Sequence, residues 1–421
     1  MDFLDSYGLI IVFSLTIIVS YFFNLYAKKS GVPAVLMLIG LGIIIHYGLL
    51  LFGEKSLDLA RPLEVLGVIG LILIVLEAAL DLRLQKEKAA LIIKSFLVAL
   101  LGLGGTVYLA ALSLNYFLHI EFLNALLYTI PLSILSSAII LPSIDDLGED
   151  KREFMIYEST FSDIIGIVGF YSVLTMLGSS SSEGMYGEVF GNLALTVIFS
   201  VIISYILICV FQNIKGHVKL FLLISILLLL YAVGKMFHLS SLIIILIFGM
   251  ILNNYKLFFK GVLTRLVSFE KVEEVLDDMK VVTGETAFVV RTFFFIIFGW
   301  SVSLGSLISF SAIGLGLLVL AIIYLVRTIV LFIFGGKDIF PQLFLAPRGL
   351  ITILLFFAIP ENLNSSSDFQ GVLLFVILLS CVVMSWALME QKKKLATEFL
   401  DDEIRIVHWN RNVKSLKNNA F

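Results

Sequence analysis

Residues 154–174 read FMIYESTFSDIIGIVGFYSVL, a run long enough to cross a bilayer in which Glu158 and Asp163 are the only charged residues. A hydrocarbon core of about 30 Å takes roughly 20 apolar residues at about 1.5 Å each. Lys151 and Arg152 stand just before the run and mark its near end. Counted from there, Glu158 lies about 8 Å deep and Asp163 about 15 Å deep, near the midplane. A charged group at that depth costs at least about 2.5 kcal/mol on insertion scales, so it points to function. Asp163 is the first candidate site residue, and the chain around it is read as a membrane protein.

The composition agrees. Hydrophobic residues make up 60% of the 421 and charged ones 14%, with a mean hydropathy of +1.06, whereas soluble domains are roughly half apolar and a quarter charged. A net charge of -3 without a concentrated basic face argues against a nucleic-acid partner. Cys209 and Cys381 have no C-x-x-C spacing, and the histidines at 46, 119, 217, 238 and 408 share no depth, so neither an enzyme nor a resident metal or cofactor is expected. The LGLGG stretch at 101–105 lacks the following Lys of a phosphate loop and reads as close helix packing. No basic segment precedes the first apolar run, which therefore reads as a retained helix.

Charged, Gly, Pro and Asn-containing breaks divide the sequence into about thirteen predicted transmembrane helices, near 7–26, 32–50, 62–82, 88–118, 121–142, 153–177, 188–212, 218–236, 240–253, 281–302, 310–334, 342–359 and 368–389. Loops after odd-numbered runs, with the tail, carry 22 Lys and Arg residues, against three (Lys55, Arg61 and Lys235) in the even loops. The positive-inside rule then sets the N-terminus outside and the C-terminus in the cytoplasm of a cell (inner) membrane. The first six and last six runs start on opposite sides, which predicts two inverted six-helix repeats, about 7–177 and 218–389, joined by a linker helix at 188–212. The chain thus divides into a membrane transport domain over 1–390 and a short cytoplasmic tail over 391–421. Residues 255–280 mix charge with an apolar stripe and are expected to lie along the cytoplasmic surface.

Few other ionisable residues reach membrane depth. In the tenth run, VVTGETAFVVRTFFFIIFGW (281–300), Arg291 lies about 15 Å deep, level with Asp163, so the two are expected to be charge partners. A second layer, about 8–11 Å from the cytoplasmic face, brings Glu158 together with Arg348 of FLAPRGLITILL (344–355) and Arg327 of IIYLVRTIVLF (322–332), and reads as a structural or gating pair. Lys94, His46 and Glu77 are near enough to helix ends to snorkel to the interface. Pro131, Pro142, Pro347 and Gly349 mark the fifth and twelfth runs as places where a helix unwinds and exposes carbonyls.

These features resemble the monovalent cation:proton antiporter superfamily, the sodium/hydrogen exchangers and their bacterial relatives, over nearly the whole membrane part. The resemblance is carried by Glu158-Ser-Thr-Phe-Ser162-Asp163, Arg348-Gly349, LVRTIVLF around Arg327, FFFIIFGWSV (293–302), LIVLEAALDL (73–82) and IFGMILNN (247–254). It implies crossed unwound helices 5 and 12, a homodimer, and alternating access in which Asp163 binds a proton or a cation but not both. Ser162, Ser136 and Ser137 would then add oxygen ligands, suiting a hard cation. Three departures stand out: Ser136-Ser137 replaces the family's Thr-Asp-Pro, Ser162 stands where relatives have Asn or Asp, and Arg291 replaces an acid found in many eukaryotic exchangers. Exchange of H+ for Na+ is the expected function. K+/H+ exchange, or a non-transporting sensor or scaffold with the same fold, is the alternative.

Overall fold

The computed structural model describes residues 6–51, 60–144, 147–178, 185–213, 219–236, 241–302, 305, 309–336, 338–360 and 368–418, and contains no strand among them. The helices are α1 (Ser6–Ser30), α2 (Ala34–Leu51), α3 (Ala60–Asp81), α4 (Ala89–Leu118), α5 (Phe122–Ser133), α6 (Ser137–Ile140), α7 (Glu149–Gly178), α8 (Met185–Phe211), α9 (Lys219–Met236), α10 (Ser241–Asn253), α11 (Tyr255–Phe258), α12 (Phe269–Ser301), α13 (Phe310–Gly335), α14 (Leu350–Phe357) and α15 (Asp368–Asn418). Eight continuous helical stretches among the described residues are long and apolar enough to span a bilayer, and three shorter apolar helices accompany them. The result is an all-helical membrane protein.

The helices pack as two groups. One is built on α12, which lies against α2 and α3, with α10 joining α3 to α8. The other is built on α4, which contacts α5, α7 and α13, with α15 behind α13. Backbone-to-backbone approach between α2 and α12 is possible because Gly42 and Gly299 carry no side chain: a methyl group on either would fall on a carbonyl oxygen of the other helix, that of Ile296 or of Ile39.

Two predicted boundaries move. The segment expected to lie on the surface over 255–280 instead ends inside α12, which starts at Phe269 and not at 281. Val272, Val275, Leu276, Met279 and Thr283 are buried at helical spacing, so the change from an amphipathic to an apolar pattern marks a change of surroundings within one helix. Likewise α15 runs past the predicted end at 389 and carries the tail as helix to Asn418.

The fifth and twelfth runs are both broken, as expected. Pro131 removes an amide from the last turn of α5, which ends at Ser133; the chain is non-helical over 134–136 before α6 resumes. In the twelfth run a turn near 340–344 leads into an extended stretch, 345–349, and only then into α14. Both breaks are buried, so their backbone groups need partners inside the protein. They find them. Leu135 N–H donates to Ser162 Oγ at 3.0 Å, Ser136 N–H to the Pro347 carbonyl at 3.0 Å, and Arg348 N–H to Ser380 Oγ at 3.0 Å. Arg348 Nε donates to the Leu132 carbonyl at 2.7 Å, which the end of α5 would otherwise orphan. The two breaks cross where Gly349 meets Ser136, and a Cβ on Gly349 would fall on the Ser136 hydroxyl and the Ile139 side chain.

Candidate functional site

Asp163 lies midway along α7 and is 2% exposed. The crossing of the two breaks is delivered to it through Ser137, the first residue of α6, whose hydroxyl donates to Asp163 Oδ2. The other carboxylate oxygen, Oδ1, is buried and has no hydrogen-bond partner among the described residues. Beside Asp163 and about one turn after it, α7 receives the unwound chain: Ser162, the residue before Asp163, accepts from Leu135, and Gly166 leaves the space taken by the Ile134 side chain. Asp163 is thus a carboxylate with one oxygen held and one free, a buried acceptor that can take a proton or a cation.

The serines divide. Ser137 contacts Asp163, and Ser162 fastens the break to the same helix. Ser136 faces the other way, toward Gly349 at the crossing. On one side of Ser137 opens a cavity of about 360 Å3, lined among others by Asn24, Glu77, Asp81, Ser137, Arg291 and Thr292. A hydroxyl on the wall of that cavity and a carboxylate immediately behind it give Asp163 a polar route to water.

The charge partners differ from those that depth predicts. Arg291 does not pair with Asp163; it binds Glu77, with Nη1–Oε2 at 3.2 Å and Nη2–Oε1 at 3.3 Å. Depth supplies one coordinate only, and α12 packs chiefly on α2 and α3, so the acid at its side is the one on α3. Glu77 accordingly does not behave as an interfacial snorkelling residue. Its spacing to Asp81, i,i+4 on one helix face, is the sequence signal for an acidic wall.

Among the described residues Glu158 also has one charged partner rather than two. Arg327 binds it in a fork, Nη1–Oε1 at 2.6 Å and Nη2–Oε2 at 3.1 Å, with the side chains only 7% and 1% exposed. The same guanidinium donates to the Gln342 carbonyl, at 3.0 Å from Nε and 2.8 Å from Nη2, and to the Leu343 carbonyl at 3.1 Å. It thereby pins the turn before the second break to α7. Arg348, expected on Glu158, instead spends Nε on Leu132, and its buried Nη1 has no hydrogen-bond partner among the described residues. These residues line a second, much smaller cavity of about 20 Å3, with Ser133 and Ser162.

Comparison with known proteins bears on what such a site does. A search of curated protein sequences gives no match. Among solved structures, the sodium proton antiporter MjNhaP1 from Methanocaldococcus jannaschii at pH 8 superposes with a TM-score of 0.68 at 21% identity, covering 90% of this chain and 97% of that one. A three-dimensional electron-microscopy structure of the same antiporter gives 0.67 at 20% identity, with coverages of 92% and 98%. At that identity the likeness speaks for the fold. The sequence itself matches the family described as sodium/hydrogen exchanger, transmembrane, over residues 13–390. A match across nearly the whole helical part, around a buried Asp between two crossed breaks, identifies the chain as a member of the sodium/hydrogen exchanger family.

Proposed function

We propose that this cation/proton antiporter exchanges H+ for Na+ at Asp163 by alternating access. The observation that carries the reading is the half-satisfied carboxylate: Ser137 holds Oδ2 while Oδ1 is buried and without a hydrogen-bond partner among the described residues. A proton or a cation can each satisfy that oxygen, and the two exclude one another, which is the coupling. Hydroxyl oxygens of Ser137 and Ser162 and backbone carbonyls of the break supply further hard ligands, favouring an alkali cation over a soft metal. Family membership and the sodium-transporting namesake of the fold support Na+ as the ion.

A single titrating carboxylate on the α4/α7/α13 bundle gives one proton per cation. The Glu158–Arg327 fork and the Leu135–Ser162 bond hold the two breaks against α7, and the Arg348–Leu132 contact ties the second break to α5, so the site moves as one body. In this reading the N-terminus is outside, the C-terminus cytoplasmic, and the protein sits as a homodimer in the cell membrane. Orientation rests on the Lys and Arg asymmetry of the loops. K+ is the competing ion, favoured by the Ser136-Ser137 pair standing where an acid would strengthen a site for the smaller ion.

Proteoliposomes with an imposed pH gradient separate these readings. Added Na+ or Li+ is expected to collapse the gradient at the same rate with and without a membrane voltage, and K+ to do so weakly. A response to K+ above that to Na+ would move the assignment to K+/H+ exchange, and no response to any of the three would leave a sensor or scaffold.

A further inference from the structure

Arg291 and Ser137 line one cavity, and behind Ser137 stands Asp163 with an oxygen that nothing in the described protein satisfies. A guanidinium beside a buried, half-satisfied carboxylate is drawn to it, since a charge-assisted, bidentate pair would satisfy both. Arg291 is nevertheless held by both Glu77 oxygens, at 3.2 and 3.3 Å. The side chains of this pair are 21% and 25% exposed, against 7% and 1% for Arg327 and Glu158. A partly wetted pair can exchange partners, where the dry fork cannot without leaving a bare charge.

We propose that Glu77 is a positioning residue that keeps Arg291 off Asp163, so that the transported cation competes there with the proton and not with the protein's own guanidinium. Glu77 and Arg291 belong to the α3/α12 packing group and Asp163 to the α4/α7 group. Their relative movement during exchange would bring Arg291 past the carboxylate, and the Glu77 tether is what prevents capture. Asp81, one turn along α3 on the same cavity, is exposed, so its hold on Arg291 is screened by water and does not replace Glu77. The inference rests on Asp163 as the exchange site.

The test is the cation dependence of exchange in proteoliposomes for the wild type, E77Q, R291Q, E77Q/R291Q and D163N, each checked for folded, monodisperse protein. E77Q is expected to raise the apparent KM for the cation about tenfold with the maximal rate little changed, because the freed guanidinium competes for the site. The double variant is expected to return to within about threefold of R291Q alone, since removing the competitor removes the need for its tether. A role that is merely structural would lower the maximal rate or the yield of E77Q and leave the double variant no better. An E77Q KM within about threefold of wild type, or a double variant that keeps the raised KM, would overturn the proposal. If E77Q does not fold, E77D carries the test: a tether shortened by one methylene should raise KM, and an unchanged KM overturns the idea. D163N separates the two claims, for exchange by D163N would remove the site itself, whereas an inactive D163N beside an unresponsive E77Q would remove only the tether.

Discussion

Glu158→Gln is expected to destabilise the protein by about 3–5 kcal/mol, the range for removing one partner of a buried ion pair. The size follows from what is left behind. Arg327 is 7% exposed and would keep only neutral acceptors, the glutamine amide oxygen, the Met155 sulfur and the Gln342 and Leu343 carbonyls, which cannot replace a carboxylate. The damage also spreads, because the same guanidinium ties the turn at 340–344 to α7 and so sets the path of the chain into the second break. Denaturant titration of the purified protein would read this as a lower midpoint. The double variant E158Q/R327Q should recover part of the loss, since it leaves no bare buried charge. A single variant within about 1 kcal/mol of wild type would mean that the fork contributes no more than a surface pair.

Gly299→Val is expected to cost at least about 3 kcal/mol, toward the upper end for overpacking, because the obstacle is backbone. Even a methyl group at Gly299 would fall on the Ile39 carbonyl oxygen, and no rotamer change moves a carbonyl out of the way. The mirror position, Gly42 against the Ile296 carbonyl, makes the contact reciprocal along the α2–α12 crossing. Separating these helices would also shift α12 relative to α3 and so disturb the Arg291–Glu77 pair. Gly104→Ala is the control, for a Cβ there meets nothing within 4 Å. Equal melting temperatures for G299V and G104A would contradict the account.

How far these features were legible in the sequence depends on the kind of information each one needs. The depth of Asp163 follows from counting residues along one helix, and the structure places the residue buried, midway along α7. The two breaks were legible from Pro131 and from Pro347-Gly349, because proline and glycine act on the chain that carries them. Partners were not. Equal depth makes Asp163 and Arg291 neighbours only if their helices touch, and the sequence does not say that α12 lies against α3. The same gap let Arg348 compete with Arg327 for Glu158, although the deciding acceptor, the Leu132 carbonyl, exists only because α5 stops where it does. A backbone oxygen freed by a helix end carries no mark in the residue type. The start of α12 was missed for a different reason: a helix that passes from amphipathic to apolar surroundings changes its pattern without changing its backbone.

The most direct test of the account is Asp163→Asn in proteoliposomes, reconstituted to the same density as wild type and loaded with a pH gradient. Asparagine keeps the shape and can accept from Ser137, yet it neither takes up a proton near neutral pH nor carries the charge that holds a cation. The account predicts that Na+ added outside leaves the gradient of D163N vesicles standing while wild-type vesicles lose theirs. Exchange by D163N at the wild-type rate would contradict it.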